Sequence, residues 1–211
     1  MNRKKGYGPI SVVLVGAALI AACSADHGSS RITPEYDKTG KLQLLKYDAN
    51  GDGVVDTWSY MDGARVVRIE IDKDQDGTID RWEYYGPGQK LERIGFSRQN
   101  DGTEDAWSYA MADGGTRIEL SSHRDGRVDR IEYYTHDVMV RAEEDTDGDG
   151  KIDKWETYDG ARLASVAFDT THRGTADRRL RYAADGTAVM EIDPQGEGHF
   201  VPAPAAEPRR R

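Results

Sequence analysis

Cysteine is almost missing from this chain: Cys23 is the only one in 211 residues. No intramolecular disulfide can form, and thiol-based zinc or nucleophile constellations are excluded. The Gly-x-Ser-x-Gly elbow, the phosphate-binding glycine loop and the HExxH helix are missing as well. No local motif therefore assembles an acyl-transfer, phosphoryl-transfer or metalloprotease site, and no catalysis is expected. The five histidines, His27, His123, His136, His172 and His199, follow no zinc spacing and read as surface residues. Long apolar runs are also lacking. The one extended stretch, ISVVLVGAALI over residues 10–20, is about half the roughly 20 residues that a membrane-spanning helix needs. Hydrophobic residues are sparse at 37%, a balance that with 23 glycines would point to disorder if they were scattered.

That apolar stretch follows a basic head, Arg3, Lys4 and Lys5, so residues 1–22 are expected to be a signal peptide rather than fold sequence. Ile20-Ala21-Ala22-Cys23 resembles the bacterial lipobox, a branched residue and two small ones before a cysteine. The resemblance implies that Cys23 is diacylated and becomes the new N-terminus; an ordinary cleaved signal peptide would instead leave a soluble periplasmic protein with a free thiol. Ser24, where the family rule for inner-membrane retention asks for aspartate, favours an outer-membrane destination. Each buried acyl methylene contributes about 0.8 kcal/mol, so several chains together anchor firmly.

What remains is acidic. Without residues 1–22, which carry three basic side chains and no acid, 26 Lys and Arg face 38 Asp and Glu, a net charge of −12. Nucleic acids and anionic lipid surfaces, which need Lys and Arg against phosphates, are disfavoured as partners; cations are favoured.

The apolar residues are strictly ordered. Gly53, Gly77, Gly102, Gly126, Gly150, Gly174 and Gly198 follow one another at spacings of 24, 25, 24, 24, 24 and 24 residues. Three residues after each of the first six comes an aspartate: Asp56, Asp80, Asp105, Asp129, Asp153 and Asp177. Two further on stand Trp58, Trp82, Trp107, Ile131, Trp155 and Arg179. Stretches such as Asp56-Thr57-Trp58-Ser59-Tyr60 alternate and are rich in aromatic and β-branched residues, which reads as strand. Asp62-Gly63 and Asp159-Gly160 supply turn dipeptides, and the return strands step by three then two (Val66, Ile69, Ile71), which predicts a bulge. Each repeat is therefore a hairpin, too small to be stable alone, and neighbouring hairpins must pair.

The expected fold is all-β: tandem hairpin repeats over residues 36–200, as an elongated antiparallel meander of about a dozen strands, with a solenoid or closed ring as alternatives. Residues 23–35 read as a flexible linker and 201–211 (VPAPAAEPRRR) as a disordered tail. The tryptophan row is expected to be buried, since Ile131 at the same place suits packing better than stacking; the opposite register would expose an aromatic ladder able to stack on sugar rings.

The chemistry lies in the loops between hairpins. Residues 72–83 (DKDQDGTIDRWE) place Asp72, Asp74 and Asp76 at positions one, three and five, Gly77 at six, Thr78 at seven, Asp80 at nine and Glu83 at twelve. Residues 145–156 (DTDGDGKIDKWE) repeat this with Asp145, Asp147, Asp149, Gly150, Lys151, Asp153 and Glu156. Both runs closely resemble the EF-hand loop. The resemblance implies a Ca2+ held by the acidic side chains and by the backbone carbonyl of position seven, with position twelve bidentate. The first loop keeps Asp48, Asn50, Asp52 and Asp56 but has Ser59 at twelve, so it should bind more weakly. The third, fourth and sixth loops, with Ser97/Gln99/Asp101, Ser121/His123/Asp125 and Asp169/Thr171/Arg173 at one, three and five, read as turns without metal.

The likeness stops at the loop, because the flanks alternate with period two and a 24-residue repeat has no room for two helices around twelve loop residues; no EF-hand helices are expected. The hairpin unit is similar to the MORN-type and YD-type repeats of bacterial surface proteins, which implies a β scaffold and no particular reaction. Together these readings predict a lipid-anchored, calcium-binding envelope module with a structural or protein-interaction role. A carbohydrate- or peptidoglycan-binding adhesin is the alternative.

Overall fold

The computed structural model describes residues 31–204. Cys23 and residues 1–22, the expected signal peptide, lie outside the described residues. The described residues form fifteen antiparallel strands in one open sheet whose spatial order is its sequence order. The strands are β1 (Ile32–Tyr36), β2 (Leu42–Tyr47), β3 (Thr57–Asp62), β4 (Arg65–Ile71), β5 (Arg81–Tyr85), β6 (Leu91–Phe96), β7 (Ala106–Ala110), β8 (Thr116–Leu120), β9 (Arg130–Thr135), β10 (Val138–Glu144), β11 (Lys154–Asp159), β12 (Arg162–Phe168), β13 (Arg178–Tyr182), β14 (Ala188–Ile192) and β15 (Val201–Pro202). The meander among the expected alternatives is the one found. A single 3-10 turn over Pro87–Gln89 is the only helical segment among the described residues, and no helix there is long and apolar enough to cross a membrane.

The acidic loops join even strands to odd ones and so lie along one edge of the sheet, while the tight turns lie along the other. In the return strands the bulge is present: the β3/β4 register slips between Tyr60 and Met61, the β5/β6 register between Tyr84 and Tyr85, and the β11/β12 register between Thr157 and Tyr158. The slip leaves Val67 without a partner and 43% exposed, which is why the apolar step of three is followed by a step of two.

Two expected boundaries move. The last residues of the expected linker, from Ile32, form β1, and the first two of the expected tail form β15. Both strands are exposed throughout, so no apolar pattern marks them; backbone pairing to β2 and β14 holds them. Pro202 is tolerated because an edge strand has no ladder to complete on its outer side.

Substantial contacts of each strand are with the strands before and after it, so no second layer covers either face among the described residues. A one-layer sheet cannot bury a full core, and among the described residues only seven hydrophobic side chains are buried: Trp82, Ile94, Ala106, Ile118, Leu120, Ala142 and Val166. The tryptophan row is accordingly buried at Trp82 but half-buried at Trp58, Trp107 and Trp155, short of the core expected for it. Polar packing fills the difference. On the tryptophan face an arginine of β4, β6, β8 and β10 covers a tyrosine of the strand before, with Arg68 over Tyr60 at 4.3 Å, Arg93 over Tyr84 at 4.1 Å, Arg117 over Tyr109 at 4.6 Å and Arg141 over Tyr133 at 3.8 Å. On the opposite face a small cluster of Ala106, Ile118 and Leu120, flanked by Phe96 and Tyr134, is continued by ion pairs. There Arg130 reaches three carboxylates, Glu132 at 2.8 Å, Glu144 at 2.9 Å and Glu156 at 2.9 Å.

Candidate metal centre

Each acidic loop is first a backbone device. The aspartate at position nine accepts the N–H of position two in all six full loops, as in Ala49 to Asp56 at 2.8 Å, Lys73 to Asp80 at 2.6 Å and Thr170 to Asp177 at 2.8 Å. Position one accepts the N–H of the position-six glycine, as in Gly53 to Asp48 at 2.8 Å, Gly77 to Asp72 at 2.9 Å and Gly150 to Asp145 at 2.8 Å. Position five accepts from position seven in Asp52, Asp76, Asp101, Asp125 and Asp149. Side-chain oxygens at one, five and nine thus replace the ladder partners that a sharply bent backbone loses. This explains why Asp101, Asp105, Asp125, Asp129 and Asp177 persist in loops that have otherwise lost the acidic pattern.

Beyond that shared role, two loops gather carboxylates. In the second loop Asp72, Asp74 and Asp80 each offer an oxygen within 4.8 Å of the others, and in the fifth loop Asp145, Asp147 and Asp153 do the same. The second loop carries a further mark. Asp72 is 4% exposed, and its Oδ1, like Oδ1 of Asp80, is buried without a hydrogen-bond donor. Oδ2 of each carboxylate is used by the backbone, so one oxygen per residue remains for another positive partner. A buried carboxylate oxygen with no donor is costly, of the order of 1–3 kcal/mol or more, and a divalent cation is the partner that satisfies two of them at once. The fifth loop lacks this mark, because Gly148 and Gly150 donate to both oxygens of Asp145.

Position twelve does not join either cluster. Glu83 accepts from Arg81 at 2.9 Å and from Tyr85 at 2.6 Å, while Glu156 accepts from Arg130 at 2.9 Å, Lys154 at 2.8 Å and Tyr158 at 2.9 Å. The reason is geometric. In an EF-hand the residues after position nine turn into a helix, whereas here they continue as β5 and β11, and three extended residues carry the side chain roughly 10 Å away from the loop. Both glutamates sit in one transverse row of the sheet with Ile94, Ile118 and Val166. Burial alone would raise the Glu156 carboxyl, but hydrogen bonds from Lys154, Arg130 and Tyr158 outweigh it and hold it at about 2. Thr78 and Lys151 at position seven are in place as loop backbone, and Asp76 and Asp149 at position five lie at the loop surface. Asp48, Asn50, Asp52 and Asp56 close the first loop by hydrogen bonds among themselves and to the backbone, and form no cluster of three acids.

Residues 145–157 match the EF hand family model. The likeness covers thirteen of the 211 residues, the fifth loop and the first residues of β11. No curated protein matches the chain. The matched segment and the acidic clusters agree on a divalent-metal loop set in a β framework.

One recurrent feature was hidden in the sequence. Position four adopts a left-handed backbone in every loop: Gly51, Gln75, Asn100, Arg124, Gly148, His172 and Gly196 have φ of 80°, 60°, 56°, 58°, 79°, 56° and 70°. Wherever it is not glycine, its side chain reaches the preceding loop. Gln75 accepts from Asn50 at 3.0 Å, Asn100 donates to Asp74 at 2.5 Å, Arg124 pairs with Asp101 and with Asp105, and His172 stands 3.4 Å from Asp147. Where position four is Gly148, a groove of about 50 Å³ opens between the fourth and fifth loops, lined by His123, Asp125, Asp129 and Asp145. His172, read from sequence as an unrelated surface residue, forms an N/O group with Asp147 and Asp149. Aligning position four across the repeats, rather than the acids alone, would have found it.

Proposed function

We propose that this protein is a non-catalytic calcium-binding β module, tethered to the cell envelope by lipid on Cys23, that presents the flat of its sheet to an envelope protein or surface polymer. The observation that carries the calcium reading is the pair of buried, donor-free oxygens on Asp72 and Asp80 beside Asp74. All ligands on offer in the second loop are oxygens, and carboxylate is the hard donor that Ca2+ and Mg2+ take; an irregular loop suits the larger, less demanding ion. Affinity falls in the weak extracellular range, about 10⁻⁴–10⁻³ M, because position twelve is spent on the sheet and metal must hold the loop with fewer carboxylates.

The carbohydrate alternative relies on free aromatic faces. Arginines occupy one face of Tyr60, Tyr84, Tyr109 and Tyr133, and Trp82 is buried, so a sugar would have to stack on Trp58, Trp107 and Trp155, which are half-buried. Isothermal calorimetry of the purified chain with CaCl2, repeated with MgCl2, tests the main reading. Saturable calcium heat that Asp80→Asn reduces supports it. Absence of calcium heat, together with an unchanged melting temperature in millimolar calcium, would overturn it.

A further inference from the structure

The cation site of the second loop is not built by one repeat. Asn100, at position four of the third loop, turns its amide back onto the second loop, with Nδ2 2.5 Å from Asp74 Oδ2 and 3.3 Å from Asp76 Oδ2. Those are positions three and five, the two solvent-exposed members of the acidic set. The two ends of an asparagine amide occupy nearly the same volume, so a half-turn of the amide sets Oδ1 where Nδ2 stands. A donor facing two carboxylates then becomes an acceptor facing a cation between them.

The third loop shows the same geometry with the cation supplied by the protein. Arg124, again at position four of the following loop, lays its guanidinium against Asp101 at position five, donates to Gln99 at position three at 2.8 Å, and pairs with Asp105 at position nine at 3.1 Å. Asp105 is 1% exposed, as deeply buried as Asp72, and Arg98 is its other charged partner. The Arg124 guanidinium also holds the Asp101 carboxyl well below the ordinary carboxylate range. A fixed positive charge thus contacts the positions that a metal ion would bridge.

We propose that position four of each loop completes the cation site of the loop before it and sets its occupant: Asn100 supplies a neutral oxygen that lets the second loop hold Ca2+, and Arg124 supplies its own charge and excludes metal from the third. This rests on the calcium reading of the second loop. It makes the site a clasp between consecutive hairpins, so binding ties the third repeat to the second.

Calorimetry of the full chain with CaCl2 separates the two claims. Asn100→Gly keeps the left-handed backbone, as Gly51 and Gly148 do, and removes only the amide; the second-site dissociation constant is expected to rise about 10- to 100-fold, the range typical of supporting ligands. Asn100→Arg is expected to abolish that site and lower the calcium stoichiometry by one, with far-UV circular dichroism unchanged, since Arg124 already occupies the same conformation in this fold. If the wild-type chain binds calcium and both variants match it in stoichiometry and affinity, the clasp is wrong. If the wild-type chain binds none, the calcium reading itself fails.

Discussion

Asp80 shows how a side chain can hold the backbone with one oxygen and leave the other free for a cation. One oxygen closes the loop on the Lys73 N–H and the other is buried without a donor beside Asp72. Asp80→Asn keeps an acceptor for Lys73 and puts an amide donor in place of the unpaired oxygen. In chelator the variant is expected to be more stable than wild type by about 1 kcal/mol, and in calcium to bind at least tenfold more weakly. Urea unfolding with and without calcium measures both. Glu156 shows the other outcome for an acidic residue of the pattern. Its carboxyl is depressed from 4.5 to about 2, so it contributes stability that is fully present above pH 4.5 and is lost as pH falls towards 2. Glu156→Gln should therefore flatten the acid limb of the stability profile in that window, as followed by circular dichroism. From sequence alone the two roles look alike, because spacing shows which residues are acidic but not whether position twelve is delivered by a helix or carried off by a strand. The aspartates at one, five and nine were legible as loop residues, yet their repulsion is relieved largely by backbone N–H groups; what sets the second loop apart is two such oxygens, on Asp72 and Asp80, beside Asp74, whereas the buried Oδ2 of Asp105 in the third loop, also without a hydrogen bond, lies 3.1 Å from the Arg124 guanidinium.

The strands were legible because period-two alternation and aromatic content recur every 24 residues, and the step of three then two marked the bulges in β4, β6 and β12. β1 and β15 were not, since strands paired on one side and exposed on both faces need no apolar alternation. The β9–β10 turn carries a local conflict that no pattern of apolar residues reveals. His136 and Asp137 both have positive φ, 48° and 62°, in a two-residue turn that favours Asn-Gly. Replacing them together by Asn-Gly is expected to stabilise the protein by about 1 kcal/mol, read as a raised urea midpoint. On the same hairpin Arg130 joins Glu132 and Glu144 to Glu156 of β11. Arg130→Met takes one partner from each of three partly buried carboxylates, which keep Tyr134 at Glu132, Lys154 at Glu144, and Lys154 and Tyr158 at Glu156; it should cost about 1–2 kcal/mol, more than Arg→Met at exposed Arg65, whose ion pair is with Asp62 across a turn.

At the scale of the whole molecule the sheet is a one-dimensional stack in which each hairpin is held by its two neighbours. Stability should then be close to a sum of repeat and interface contributions. Removing residues 169–211, the sixth loop onward, should leave β1–β12 folded, with a smaller urea m-value in proportion to the surface lost. A chain that instead unfolds completely on this truncation would point to long-range contacts absent from the meander. Along one edge of this stack run the acidic loops, linked by Gln75, Asn100, Arg124 and His172, so that cations bound there join neighbouring repeats where no second layer does. The most direct test is a crystal structure grown in millimolar CaCl2. The account predicts an ion between Asp72, Asp74 and Asp80 that takes the free oxygens of Asp72 and Asp80, with Glu83 still paired to Arg81. Those carboxylates surrounding no ion, or a Glu83 swung into the loop as a ligand, would contradict it.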